Sequence, residues 1–523
     1  VRSIAGNRSG RSVAFRKAQP GRQNSQSYSF PAPVGGLNLR DSAANMPETD
    51  ATIMDNWFPE TNDVRVRKGP ANHVTGFTGQ VESLLPYNNP DGTHTLFAAA
   101  NNAIYDATTA GAVGSAVVSG LTNNRWQSVN FTNSSEVSYL FACNGADDVQ
   151  LWDGSTWSNP TLTGITNTEV VNVSVFKRRL WLTRVNSLNA YYLPVDAIGG
   201  EVRSVPLGGI AKKGGFLMAT DTWTIDAGEG ADDYWVGITS EGEVIVYRGT
   251  DPISSATWKL HGVWNIGAPI GRRCFLKRDG DLLILTVGGI IPLSKLVVSG
   301  QTDPNIAITN KIEKGVGDAA RINRANFGWS MLFHPSIDMI LLNIPATDGT
   351  FQFAMNTITG NWGKFKGLAA NCWALVDDIA YYGGNTVVAT FWEEFDDFGA
   401  NIETDLKQAE NYFGSRGRLK YFKGVRPIVL SDGAPEVGVR INPDFQDVPV
   451  TESLSFVPLD VGFWDSGLWD SALWGGNLFV NKEWRTASEV ATSGGLRMKT
   501  VSAGIEVRFQ SSDHLFEYGG VIA

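Results

Sequence analysis

Residues Trp126 to Trp157 read WQSVNFTNSSEVSYLFACNGADDVQLWDGSTW. Three short apolar pieces, Trp126 to Phe131, Tyr139 to Cys143 and Val149 to Trp152, are separated by polar turn formers, with Asn144-Gly145 and Asp153-Gly154 as hairpin signals. Pieces this short and this closely punctuated make a small antiparallel sheet rather than helices. The arrangement recurs on both sides. Upstream lie Ser83 to Tyr87, Leu96 to Ala100 and Ala103 to Asp106, and downstream come Val170 to Phe176, Arg179 to Thr183 and Ala190 to Leu193. Trp235 to Thr239, Glu243 to Tyr247 and Trp258 to Leu260 follow, then Asp281 to Val287 and Ile290 to Leu293 across Gly288-Gly289, and finally Met339 to Ile344, Gln352 to Met355 and Trp373 to Leu375. Imprecise repeats of about 40 to 50 residues fit a β-propeller, in which each blade covers the faces its neighbours cannot bury alone. The expectation is an all-β chain with a propeller of about six blades.

Composition agrees with that reading. The 523 residues include 57 Gly, 17 Trp, 26 Phe and 13 Tyr, a pairing of turn formers with residues suited to pleated, half-buried surfaces. Hydrophobic residues make up 42% and charged ones 18%, which supplies sizeable cores and excludes a disordered chain. Cys143, Cys274 and Cys372 lie too far apart for a metal knuckle or a disulfide framework, and read as buried free thiols. With no run of about 18 apolar residues and no signal-peptide block, the expectation is a product without a membrane span, made in a cytoplasm.

Charge divides the chain. The first 40 residues carry seven Arg or Lys and no acid, whereas the remainder has 36 basic against 53 acidic residues. Arg2, Arg8, Arg11, Arg16, Lys17 and Arg22 lie among Ser, Gly, Asn and Gln, so residues 1–40 read as a basic flexible arm that contacts a protein neighbour or DNA. Residues 41–435 are expected to hold the propeller with its insertions. Two short helices are expected, over Ala319 to Ala325 and over Glu403 to Phe413, where Leu406, Ala409 and Phe413 have helical spacing.

From about Glu436 the pattern changes to Val437 to Ile441, Gly494 to Lys499 and Gly504 to Phe509, which reads as a β-sandwich or platform domain over 436–523. Between these strands runs Phe463 to Trp474, FWDSGLWDSALW. A five-residue period turns about 140° on a helix, so Trp464, Trp469 and Trp474 cannot share a helical face. They are candidate subunit contacts, where Trp contributes a large area at little entropic cost.

Catalytic chemistry finds little support. The five histidines, His73, His94, His261, His334 and His514, are scattered, and neither a GxSxG elbow nor a GxxxxGK[ST] phosphate loop is present. Glu393, Glu394, Asp396 and Asp397 beside Trp392 and Phe395 form the best enzyme candidate, a glycoside hydrolase, yet adjacent residues do not supply two carboxylates facing each other across a sugar. Trp152 to Trp157 departs from the aspartate box of sialidases and reads as a hairpin turn. The expectation is no enzyme, no cofactor, no metal and no catalytic residue.

Several stretches resemble the tail nozzle family of short-tailed bacteriophages, also called tail tubular protein B or packaged-DNA stabilisation protein. Gly35-Gly36-Leu37-Asn38, Asp41-Ser42, Met46-Pro47, Asp55 to Pro59 and Val64 to Pro70 look like its opening signature. Phe176 to Trp181, Tyr191 to Pro194, EVIVYRGTDP at Glu243 to Pro252 and GAPIGRRC at Gly267 to Cys274 look like its blade motifs. The resemblance spans about 35 to 523. It implies a structural virion protein in a ring, usually a homohexamer, between the head-proximal tail adaptor or portal and the tail fibres or tail-tip proteins. Double-stranded DNA would be retained and ejected through the lumen without sequence-specific binding. Two rival readings are a propeller-type glycan depolymerase or sialidase on a receptor-binding spike, and a monomeric peptide-binding propeller scaffold.

Overall fold

A computed structural model describes residues 25–226, 231–299, 306–456 and 478–521. Six four-stranded antiparallel blades form a ring. From the innermost strand outward, the first contains Val81–Asn88, His94–Ala100, Ala103–Asp106 and Ala116–Ser119. The second runs Gln127–Thr132, Ser138–Cys143, Gln150–Trp152 and Trp157–Ser158. The innermost strands of the third to sixth blades are Val170–Phe176, Leu217–Asp226, Ser330–His334 and Cys372–Val376. A three-stranded sheet, Phe275–Arg278, Asp281–Thr286 and Gly289–Pro292, occupies a further place between the fourth and fifth blades. Each innermost strand touches the next, and Cys372–Val376 returns to Val81–Asn88, so the ring is closed.

Closure uses both ends of the propeller sequence. The sixth blade takes Cys372–Val376, Ile379–Gly383 and Val387–Glu394 from its C-terminal part and receives Gly69–Thr75 as its outer strand. Such pairing places the intervening blades between two hydrogen-bonded strands, so the blade cannot form until the ring does. The turn read at Asp153-Gly154 is present. Asp153 accepts from the Ser155 and Thr156 amides at 2.8 and 2.7 Å and from both hydroxyls, which holds its carboxyl down at about 2.

The second unit is a β-sandwich assembled from both chain ends, not from residues 436–523 alone. One sheet combines Gln26–Pro31, Trp57–Pro59 and Val64–Val66 with Arg418–Ser431 and Val507–Val521. The other combines Asp50–Asp55 with Ile402–Gln408, Glu436–Pro443 and Gly494–Ser502. Residues 26–31 are therefore a sandwich strand rather than arm, pairing Gln26 with Phe516 through Pro31 with Ser511. The passage from sandwich to propeller falls at Arg67-Lys68, between Val64–Val66 and Gly69–Thr75.

The helix expected over 403–413 is instead the strand Ile402–Gln408. Ile402, Thr404 and Leu406 are buried at a spacing of two, and the strand pairs with Asp50–Asp55 on one side and Gly494–Ser502 on the other. Two ladders of hydrogen bonds outweigh a short stretch of helical spacing. The second expected helix is present as Glu313–Asn323, with Val316, Ala319 and Ala320 buried.

Propeller and sandwich share core. One continuous buried cluster runs from Val246, Ile284 and Phe353 to Leu406, Phe422 and Phe509. Cys143, Cys274 and Cys372 are free and buried, and desolvation raises all three thiols, Cys372 to about 11.

Candidate functional site

Two places concentrate polar chemistry: the junction between propeller and sandwich, and the axis of the propeller. At the junction, Arg67 has no exposed side-chain surface and lies, with Lys68, in the link between the sandwich strand Val64–Val66 and the propeller strand Gly69–Thr75. Its Nη1 and Nη2 donate to both oxygens of Asp397 at 2.8 and 2.7 Å, the forked geometry in which arginine holds a carboxylate best. Nε donates to Asn56 Oδ1 at 3.0 Å, Nη2 to the Lys366 carbonyl at 2.8 Å and Nη1 to the Lys68 carbonyl at 3.2 Å. Asn56 also accepts from the Lys366 amide at 2.7 Å and donates to the Glu403 carbonyl at 2.8 Å. One guanidinium and one amide thereby connect the sandwich, the fifth blade and the segment leaving the sixth.

Glycines permit this closeness. A Cβ on Gly69 would lie 1.6 Å from the Asp396 carbonyl oxygen, and one on Gly363 would lie 2.2 Å from the Trp57 carbonyl oxygen. Neither contact can be relieved by a side-chain rotation, because both obstacles are backbone.

A cleft of about 590 Å3 opens beside the junction, lined among others by Asp55, Asp397, Glu403, Asp405 and Glu452. Asp397 is held by Arg67, Asp55 by Lys366 at 2.6 Å and Asp405 by Arg497 at 2.5 Å. Of the acidic run singled out in the sequence, Asp397 is thus committed to the junction, and Asp396 accepts from the Gly399 amide at 2.6 Å. Glu393 and Glu394 are exposed at the end of their strand.

The axis carries the second constellation. A cavity of about 240 Å3 is lined by Leu84 and Pro86 of the first blade, Gln127 and Ser128 of the second, Cys372 of the sixth, and Arg273. Arg273 immediately precedes Phe275–Arg278, on the opposite side of the ring, and reaches across the axis. Its Nη2 donates to Ser83 Oγ at 2.8 Å and to the Glu82 and Trp126 carbonyls, each at 3.1 Å. Phe327 lies against two guanidiniums, Arg125 at 4.6 Å and Arg273 at 4.9 Å from its ring centre. The Glu82 carboxylate pairs with Arg125 at 3.1 Å. At this level Arg273 spans the ring, with the cavity beside it.

The histidines have local partners. His73 contacts the Ala107 carbonyl at 2.9 Å, His94 meets Asp377 at 2.9 Å, and His261 packs on Tyr234 and Trp264. His334 is buried within 3.7 Å of Asp378, and His514 is buried against Ser512 at 2.9 Å. Among the described residues no group of three or more His, Cys, Asp or Glu is arranged to hold a metal.

The candidate subunit contacts Trp464, Trp469 and Trp474, and the arm residues Arg2, Arg8, Arg11, Arg16, Lys17 and Arg22, lie outside the described residues. Sequence reasoning quoted Arg67 and Arg273 within motifs without assigning either a role. The available signal was their setting: a charged side chain flanking short apolar strands in a chain of low charge density is an unusual candidate for burial.

No protein-family model matches the chain, and no curated protein matches it either. Among solved structures, the extracellular domain of a putative one component system from B. thetaiotaomicron is 13% identical with a TM-score of 0.39, over 68% of this chain and 43% of that one. The computationally designed Ika8 protein is 11% identical with a TM-score of 0.35, over 62% of this chain and 100% of that one. A chain of a Mitotic Checkpoint Complex is 12% identical with a TM-score of 0.38, over 69% of this chain and 100% of that one. At such scores these likenesses carry no functional weight. The strand pairing defines the chain as an all-β propeller protein with a sandwich built from its two ends.

Proposed function

We propose that the chain is a structural subunit of the nozzle type in a short bacteriophage tail, closing into a homohexameric ring that retains and conducts DNA. One observation carries the reading: the stretches that resemble the family's opening signature are committed to packing and hydrogen bonds within the sandwich and between it and the propeller. Asn38 donates to Asp50 at 2.7 Å, a Cβ on Gly36 would lie 2.6 Å from the Trp362 carbonyl oxygen, and Asn56, Arg67 and Gly69 interlock as described above. Asp55 and Asn56 of the signature border the open cleft beside the junction, but a signature serving catalysis would leave its reactive groups unpaired there, whereas Asp55 is held by Lys366. The signature joins two units into one body, as a subunit carrying load between an adaptor above and a tail tip below requires.

Because Arg273 spans the ring and the axial cavity holds only about 240 Å3, the lumen in this proposal lies between subunits and not within one. The acidic body repels phosphates and lets a duplex slide without gripping it. The basic arm and the tryptophan repeat serve as contacts to the adaptor and to the neighbouring subunit. The propeller also fits a monomeric binding scaffold, whose ligand would enter the axial cavity.

Light scattering on the purified protein, alone and with adjacent virion components, followed by imaging, separates the two. Closed rings near six subunits support the nozzle reading, and a monomer under both conditions overturns it.

A further inference from the structure

The pair Arg272-Arg273 sits inside the propeller without a carboxylate partner. Among the described residues neither forms an ion pair, although both donate hydrogen bonds, Arg272 to the Met218 carbonyl at 2.9 Å and Arg273 to the three acceptors named above. The one acid beside Arg273 is Glu82, and its carboxylate is already engaged by Arg125. Arg273 and Arg125 therefore share one carboxylate and Arg272 has none, which leaves a local excess of positive charge where both Arg272 and Arg273 are partly withdrawn from solvent.

Burial draws both Arg272 and Arg273 below the usual arginine range, the direction expected when desolvation is not offset by a counter-ion. Structural arginines of this fold show the alternative: Arg67, Arg497 and Arg508 each meet at least one carboxylate. Arg273 instead borders a cavity of about 240 Å3, beside the half-buried polar side chains of Gln127 and Ser128. Ser128 falls on the face of Gln127–Thr132 that turns toward the first blade, with Asn130, whereas Gln127 shares the opposite face with Val129 and Phe131.

We infer that the axial cavity is a binding site for a small oxyanion, held by Arg273 with Ser128 as an additional donor. The cavity is too small for a folded partner or a duplex, and a free phosphate or short carboxylate matches its size and charge. Such an ion would complete the charge balance that the protein leaves open and would join the first two blades to the sheet opposite them. The assignment does not rest on ring assembly, and a monomer tests it equally well.

The test is thermal unfolding and calorimetric titration of the full chain at low ionic strength, with inorganic phosphate in one arm, succinate in another, and sodium chloride matched in ionic strength as reference. Phosphate or succinate is expected to raise the midpoint saturably beyond the chloride reference. Response to phosphate alone assigns a phosphoryl ligand, and response to succinate alone assigns a carboxylate. Arg273→Gln is expected to weaken binding by about tenfold or more, the loss of one charge-assisted hydrogen-bond donor. Ser128→Asp supplies an internal carboxylate and covers the case in which Arg273→Gln does not fold; it is expected to raise the midpoint without added anion and to abolish the anion response. Absence of any response beyond chloride in the wild type, or an undiminished response in Ser128→Asp, overturns the assignment.

Discussion

Replacing Arg67 by Met keeps the length of the side chain and removes five hydrogen bonds at once, two to Asp397 and one each to Asn56, Lys366 and Lys68. The apolar substitute leaves Asn56 Oδ1 with only the Lys366 amide and strands the Asp397 carboxylate at a site where its side chain is 23% exposed. Breaking a buried pair from one side costs about 3–5 kcal/mol, and the residual exposure of Asp397 places this case near the lower end, roughly 3 kcal/mol. Asp397→Asn leaves an unpaired guanidinium with no exposed surface and is expected to cost about as much. The double variant should cost less than the sum by about 1–3 kcal/mol, since the second change removes a group already orphaned by the first. Chemical denaturation followed by tryptophan fluorescence and circular dichroism measures all four corners. Because Arg67 joins sandwich to propeller, Arg67→Met should also separate the two probes' transitions. Strict additivity with coincident transitions would refute the account of the junction.

Three further outcomes follow from the same geometry. Gly69→Ala is expected to destabilise by several kcal/mol, about as much as Arg67→Met, because the new methyl meets the Asp396 backbone and must displace the Asp397 pair; equilibrium unfolding checks this. His514, buried beneath Phe30 and Phe413, is lowered from 6.5 to about 3 by desolvation, so the unfolded chain takes up a proton that the folded chain refuses. Its contribution is present above pH 6.5 and is lost as pH falls toward 3, at about 1.4 kcal/mol per pH unit. Glu410, raised from 4.5 to about 6 by desolvation, acts in the opposite sense: the folded chain binds the extra proton, and stability rises as pH falls from 6 to 4.5. Stability should therefore dip below pH 6.5, level off between about 6 and 4.5, and fall again below, and His514→Gln should remove the first dip. On the nozzle proposal, deleting residues 1–24 should lower incorporation into particles, and a deletion through residue 30 also removes most of the strand Gln26–Pro31 and should lower the unfolding midpoint.

Blade strands were legible because each is local: apolar pieces such as Tyr139 to Cys143 pair with the next piece across a short turn, here Leu140 with Trp152. The sandwich was only half legible. Gly494–Ser502 announces a strand, but its layer is completed by Asp50–Asp55 through Ile402–Gln408, and partners so distant in sequence leave no local mark. The same distance explains the misread helix: Leu406 and Phe413 have helical spacing, and only the neighbours on both edges make the strand prevail. The three-stranded sheet Phe275–Arg278 to Gly289–Pro292 also has no sequence cue that tells it from a four-stranded blade. At the junction and axis, Arg67 was visible as a residue but not as a buried one, and Arg273 was not visible as a side chain that spans the ring. Their acceptors include the backbone carbonyls of Lys366, Lys68, Glu82 and Trp126, which any sequence would offer, and side chains as distant in sequence as Asp397 from Arg67.

The measurement that tests the central claim most directly is the mass and shape of the full-length protein in solution. Multi-angle light scattering at several concentrations, with electron microscopy of the same sample and of a mixture with neighbouring virion components, is expected to give closed rings near six subunits with a central hole between propellers. A single-subunit mass in both samples would contradict it, because a subunit that does not close on copies of itself has no lumen to offer DNA.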